Sequence, residues 1–310
     1  MIALKDALTL AEKLARIGPW TAPELPEDIP HGDMPGDKVC IDEDHIRKAA
    51  LLFPKLVEAL KELEGEKAVV SVFGGSGVGK SEIASLLGWY LRSAGIGSYV
   101  ISGDNYPHRI PMYNDAERLR IFRAGGLRGL LAADLYSPRI QKALDVMWPR
   151  GQDADASYGA EIPWLATYQA AGRKALSAYL GTPLEQDYAE LNAILAAFRR
   201  GEDTVWLKRM GRTEEERWYD PVDFSEVNVL ILEWTHGGNP ALRGIDVPIF
   251  LNSTPQETRE HRRRRARDGK TDSAFTTMVL EIEQEELRRA APSARIILSK
   301  SGQFLRADEI

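Results

Sequence analysis

The sequence predicts an α/β fold: a doubly wound, mostly parallel sheet flanked by helices, with a helical N-terminal extension and a helical insertion. Two observations carry this. Short apolar runs at Ala68–Phe73, Ser98–Ser102, Val227–Leu232, Val247–Leu251 and Ala294–Leu298 are continuous rather than alternating, as expected of parallel strands covered on both faces. The first of them enters Gly74-Gly-Ser-Gly-Val-Gly-Lys-Ser81, a full match to G-x-x-x-x-G-K-[ST], and Lys80–Leu91 supplies the helix that follows. Right-handed crossovers between such strands place a ligand at their carboxyl ends.

The octet specifies chemistry as well as fold. Glycines 74, 75, 77 and 79 let backbone N–H groups turn inward and approach phosphate oxygens. The helix N-terminus adds partial positive charge at the same point. Lys80 is suited to the β- and γ-phosphates and the Ser81 hydroxyl to Mg²⁺. The predicted fold is therefore that of a P-loop NTPase. Gly74, Gly75, Ser76, Gly77, Val78, Gly79, Lys80 and Ser81 are the nucleotide-binding residues, and ATP and Mg²⁺ the expected cofactors. A glycine-rich turn without function would not need the Lys-Ser pair or both flanking elements.

Ahead of the core, residues 1–65 read as a helical extension. Leu4, Leu8, Leu10, Ala11, Leu14 and Ile17 have roughly helical spacing, and a Pro/Gly-rich connector runs from Gly18 to Gly36. A second helix opens at Asp42-Glu-Asp44, where acids suit the helix dipole, and carries Pro54 as a candidate kink. The extension is expected to serve packing or homo-oligomer contact rather than catalysis.

The core spans 66–310 and is interrupted at about 112–182 by a helical insertion, with Asp115–Phe122, Ser137–Met147 and Ile162–Leu180 as its recognisable pieces. Glu185–Arg199 then reads as a helix, and Thr204–Lys208 and Glu216–Tyr219 as strands that pair across Gly211. Trp148, Trp164, Trp206 and Trp218 fall in this region and are read first as core.

Composition bounds the setting. With 310 residues, 44% hydrophobic, the chain can bury a sizeable core. A formal charge of −6 argues against a general nucleic-acid or membrane-surface role. Cys40 is the only cysteine, so no internal disulfide is possible. With no secretory pattern at Met1–Asp6, this fits a cytoplasmic protein.

Phosphoryl transfer needs positioning, charge neutralisation and a group to take the acceptor's proton. Three sites outside the octet supply such groups. Asp104, in Gly103-Asp-Asn-Tyr-Pro-His-Arg109, follows the second strand. It suits proton acceptance from a substrate hydroxyl or a water-mediated link to Mg²⁺, although Asp-Asn pairs also simply form turns. Glu233 ends the strand Val227–Leu232, where a carboxylate would serve Mg²⁺, and Trp234–Gly238 reads as a tight loop over the site. The segment Arg259–Lys270, with six arginines and one lysine in twelve residues, reads as a nucleic-acid patch, a solvated helix face, or a lid that closes on phosphates. The acidic balance weighs against the first and the scarcity of acids against the second. On a helix, Arg259, Arg263 and Arg267 share one face. The lid, about 257–272, is the preferred reading.

With these residues in place, the chain resembles the uridine kinase/phosphoribulokinase/pantothenate kinase group of P-loop small-molecule kinases over approximately 67–110 and 183–305. The matching features are Gly-Asp104-Asn-Tyr106, the helix and turn at Asp187–Gly201, the hairpin at Thr204–Tyr219, Ile231-Leu-Glu233, the basic run Arg262–Asp268 and Phe275-Thr-Thr-Met-Val-Leu280. Trp234 stands where the group has Gly. The resemblance implies Asp104 as general base, Glu233 as a metal-linked carboxylate, and Arg263 and Arg267 as groups that stabilise the transferring phosphate. Tyr106, His108, Arg109 and His236 are candidate acceptor contacts.

The expected activity is ATP-dependent phosphoryl transfer to a hydroxyl of a small metabolite, such as a nucleoside, sugar or sugar phosphate. The alternative is a nucleotide-switched regulatory or assembly protein without an acceptor. The sequence lacks the Asn-Lys-x-Asp guanine-reading tetrapeptide, which counts against a GTP switch. Neither a nucleic-acid nor a membrane partner is expected.

Overall fold

The computed structural model describes residues 8–27, 29, 31–36, 39–260 and 273–310. They form two compact units: those within 1–106, 188–258 and 287–310 make the first, and those within 107–187 and 259–286 the second.

The first unit is built on a five-stranded sheet. Its strands are β1 (Ala68–Gly74), β2 (Ser98–Ser102), β5 (Val229–Glu233), β6 (Val247–Asn252) and β7 (Ile296–Ser299), in the order β2-β5-β1-β6-β7. All four pairings are parallel. β1 is buried at every position, as its unbroken apolar run requires. β5 begins at Val229 rather than Val227, because the Val227 amide donates to Phe224 O and closes a turn there.

Helices cover both faces. α1 (Leu10–Ala15) is opened by a capping box of Thr9 and Glu12. α2 (Glu43–Lys61) is opened by Asp42, which accepts from the His45 amide, and it continues through Pro54. Leu10, Leu14, Leu52, Phe53, Leu56 and Leu60 pack with Val70 and Val72 of β1 and with Ile83, Leu86 and Leu87 of α3 (Lys80–Ser93) in one apolar cluster. The extension thus shares the core that positions the octet. Removing any one of these buried leucines to Ala would cost about 2–5 kcal/mol. The opposite face is covered by α8 (Tyr188–Arg199) and by a hairpin of β3 (Thr204–Met210) and β4 (Arg217–Asp223), paired antiparallel with Arg209 opposite Trp218. The hairpin reaches four residues past the expected Tyr219.

The second unit is helical. It contains α4 (Pro111–Ala132), α5 (Pro138–Met147), α6 (Ala156–Glu161), α7 (Pro163–Ser177) and the first part of α9 (Ala274–Ala290). α4 runs ten residues beyond the expected Phe122, through three glycines. They serve close helix packing: a Cβ on Gly126 would lie 2.5 Å from the Tyr168 ring, and one on Gly129 2.2 Å from Ala171 Cβ. Leu130, Leu144, Leu165 and Leu176 pack with Met278, Val279 and Ile282 of α9. Arg173 donates to both Glu281 and Glu285, each at 2.8 Å. Arg118 donates to the fully buried Glu185 at 2.6 Å. The insertion and the helix that follows the arginine-rich segment are therefore one folded body. No described helix is long and apolar enough to cross a membrane.

Candidate active site

The octet lies where β1 turns into α3. Gly74 has φ +156°, and a Cβ there would come within 2.5 Å of the Leu251 carbonyl of β6. Gly79 has φ +99°, and a Cβ there would meet His45 Nε2 at 2.7 Å. Both positions demand glycine, one for close strand contact and one for its left-handed backbone. Gly79 caps α3 without any side-chain hydrogen bond, which leaves the first N–H groups of a fourteen-residue helix directed at the loop. The Lys80 ammonium folds back and donates to Gly75 O at 3.2 Å. A strand, a glycine-rich loop and a helix on a parallel sheet, with lysine and serine at the helix start, constitute the P-loop NTPase fold.

Glu233 ends β5, beside Val72 of β1 and Ser102 of β2 in the sheet register. It is buried, and its two oxygens accept separately: Ser81 Oγ donates to Oε2 at 3.2 Å and Ser102 Oγ to Oε1 at 2.6 Å. The serine and carboxylate oxygens are a hard donor set that fits Mg²⁺. Ser102 joins the site unforeseen; its only sequence signal is its place at the end of a strand, two residues before Asp104.

Asp104 lies in the one-turn 3₁₀ segment Gly103–Asn105 that leaves β2. It is exposed, and it makes no hydrogen bond or ion pair among the described residues. It stands two residues beyond Ser102, which pairs with Glu233, so the structure brings Lys80, Ser81, Glu233 and Asp104 to the carboxyl ends of adjacent strands. Its neighbour Asn105 is fully buried and fixed at both ends of its amide.

The other expectations divide. Tyr106 is fully buried in the cluster formed by α8, the hairpin and β5, and burial pushes its phenol above the ordinary range; this removes it from the acceptor contacts. His108 and Arg109 fall in the second unit. There the His108 ring pairs with Pro183 O at 3.0 Å, and Arg109 donates to Tyr179 OH at 3.0 Å. His236 is buried with its ring 5.1 Å from that of Trp234. The Gly237-Gly238 turn packs on Phe73, on the sheet face opposite Val72 and α3, rather than over the octet. Arg263 and Arg267 lie outside the described residues.

Trp234, the departure from the Glu-Gly pattern, has a physical account. Its side chain is buried against Gly103, where a Cβ would lie 2.1 Å from Trp234 Cγ, and its ring is 5.4 Å from that of Tyr188. The indole occupies room that a glycine on β2's outgoing turn provides.

Three further residues come from the extension expected to be only packing. His45 of α2 is wedged against Gly79. Burial lowers its imidazole pKa against the opposing pull of Glu82 and Asp42. The connector residue Gly32 lies so close that a Cβ would be 3.3 Å from Glu233 Oε1, and Asp33 beside it is buried among β2 and the hairpin. A Pro/Gly-rich connector carries no periodicity, so its sequence gave no sign of this.

No family model matches the chain. Over 257 residues, 83% of its length, it is 37% identical to the bifunctional alpha-galactosidase/sucrose kinase AgaSK of Mediterraneibacter gnavus. The chain spans only 23% of that relative's length. Among solved structures it is similar to the D-glycerate 3-kinase of Cryptococcus neoformans var. grubii, with TM-score 0.47 and 12% identity, covering 86% of this chain and 98% of that one. Phosphoribulokinase from Rhodobacter spheroides gives TM-score 0.42 and 15% identity, covering 75% of this chain and 70% of that one.

Proposed function

We propose that the chain is an ATP-dependent kinase that phosphorylates a hydroxyl of a small carbohydrate, with sucrose the first acceptor to test. The observation that carries the reaction class is the convergence of Lys80, Ser81, Glu233 and Asp104 at one end of the sheet. The acceptor class is supported by the sucrose kinase named in the 37% identical relative. Of the two activities in that name, only the kinase uses a nucleoside triphosphate, and a phosphate loop is what this chain holds.

In this reading the loop amides and Lys80 hold the β- and γ-phosphates. Ser81 and Glu233 would hold Mg²⁺, which when bound neutralises charge on those phosphates. The acceptor oxygen attacks the γ-phosphorus while its proton passes to Asp104, and the bond from γ-phosphorus to the β–γ bridging oxygen breaks to release ADP. The exposure of Asp104 and the lack of any partner among the described residues leave its carboxylate available for that proton. Arg263 and Arg267 are proposed to cover the transferring group. Nothing among the described residues favours the nucleotide-switch alternative.

The reading is tested by incubating the protein with ATP, Mg²⁺ and sucrose and examining the sugar by mass spectrometry. A phosphorylated sugar formed by wild type and not by Lys80→Ala supports it. Unmodified sugar across a panel of mono- and disaccharides contradicts it.

A further inference from the structure

Asp33 lies in the connector between α1 and α2, and its side chain is only 7% exposed. Its carboxylate accepts four hydrogen bonds from three other parts of the first unit. Oδ1 accepts from the Ser102 amide at 2.8 Å and from Asn105 Nδ2 at 3.0 Å, the two ends of the turn that carries Asp104. Oδ2 accepts from Arg209 Nη1 of β3 at 2.7 Å and from Tyr99 OH of β2 at 3.2 Å. The network extends further. Asn105 Oδ1 accepts from the Met210 amide at 3.0 Å, Arg209 Nη2 donates to Tyr99 OH at 3.2 Å, and Arg209 Nε lies 3.3 Å from Asp220 Oδ2 on β4.

We infer that Asp33 is a positioning residue: it fixes the Asp104 turn and the β3–β4 hairpin to one another and so sets the acceptor side of the site. This rests on the kinase reading. The physical ground is that all four partners are donors, so only a carboxylate satisfies them together. An asparagine would place an NH₂ against one pair of donors and leave buried polar groups unsatisfied. The loss would loosen the turn on which Asp104 sits while leaving the octet, held by β1, β6 and His45, in place. Burial pushes the Asp33 carboxyl upward and Arg209 opposes that shift, which is why removing the guanidinium should also weaken the network.

The test compares wild type, Asp33→Asn and Arg209→Lys, the last keeping a cation opposite Asp33 without the planar fork. Hydrogen exchange is read at the Ser102 and Met210 amides, sucrose phosphorylation by initial rates, and nucleotide binding with a fluorescent ATP analogue. Asp33→Asn is expected to exchange faster at both amides and to lose roughly 10- to 100-fold in kcat. Nucleotide stoichiometry should stay full and Kd within about twofold, a split that partial unfolding would not give. Arg209→Lys should lie between the two, and it carries the test if Asp33→Asn does not fold. Unchanged exchange at Ser102 and Met210 overturns the inference whether or not sugar turns over. Unchanged kcat with active wild type overturns it too. Wild type inactive on sucrose and on the panel of mono- and disaccharides, with accelerated exchange in Asp33→Asn, rejects the kinase reading and upholds the tie that Asp33 makes between turn and hairpin.

Discussion

Ser81 of the phosphate loop and Glu233 of β5 meet at 3.2 Å, with the serine hydroxyl donating to Oε2, while Ser102 holds the other carboxylate oxygen at 2.6 Å. Three neighbouring elements therefore fix one buried carboxylate at the mouth of the loop. Glu233→Gln keeps the size but removes the charge and offers an NH₂ where one serine needs an acceptor. Its kcat is expected to fall roughly 100-fold or more, about 2.7 kcal/mol of barrier. The Mg²⁺ concentration needed for half-maximal rate should rise, as measured by titrating Mg²⁺ at saturating ATP. A normal Mg²⁺ titration would remove Glu233 from the metal-linked role.

Asp104 tests the base assignment with little structural interference, because it is exposed and makes no hydrogen bond or ion pair among the described residues. Asp104→Asn should melt like wild type and bind nucleotide normally, yet lose roughly 10²- to 10⁴-fold in acceptor-dependent kcat. Full turnover in this variant would assign the proton to another group.

His45 gives the molecule a pH dependence whose sign follows from its burial. Its folded pKa is lowered, so below about 6.5, the ordinary imidazole value, the unfolded chain binds a proton that the folded one does not. Stability therefore rises with pH across that window and is lost as pH falls from there through the folded pKa. His45→Gln, which does not titrate, should melt lower than wild type near neutral pH, and the gap should narrow on acidification, measured by thermal scans at several pH values. A gap that widens on acidification would contradict the assignment.

The contact between Trp234 and Gly103 predicts a coupled pair. Gly103→Ala drives a Cβ into the indole and should cost about 1–3 kcal/mol. Trp234→Gly opens a cavity and should cost about 3 kcal/mol or more. The double variant should lose less than the sum, with a coupling of about 0.5–3 kcal/mol by urea denaturation. Strict additivity would mean the two residues do not share that space.

The parts of the site legible in sequence were those where one short segment carries both geometry and chemistry. The octet, with its glycines and Lys80-Ser81, is such a segment, and the parallel sheet followed from strands buried on both faces. Glu233 and Asp104 are proposed because a polar residue at the end of an apolar run marks the carboxyl edge of the sheet. Tyr106 was misread because an aromatic beside a catalytic turn looks the same in sequence whether it faces ligand or core; here it fills the core with Tyr188 and Leu191. The α4 helix was cut short because glycines that admit Tyr168 and Ala171 look like breakers. Asp33 and His45 were missed for a third reason. Their roles come from partners 66 to 176 residues away for Asp33 and from the back of Gly79 for His45, and no local pattern encodes such distances.

The central claim, transfer of the γ-phosphoryl group from ATP to a carbohydrate hydroxyl, is tested most directly by measuring ADP release with and without sucrose, and with a panel of related sugars. Lys80→Ala serves as the blank. The account predicts slow ADP release alone, a large increase with at least one sugar, and one phosphorylated sugar formed per ADP. ADP release that no sugar changes, or sugar that remains unmodified while ATP is consumed, would contradict it.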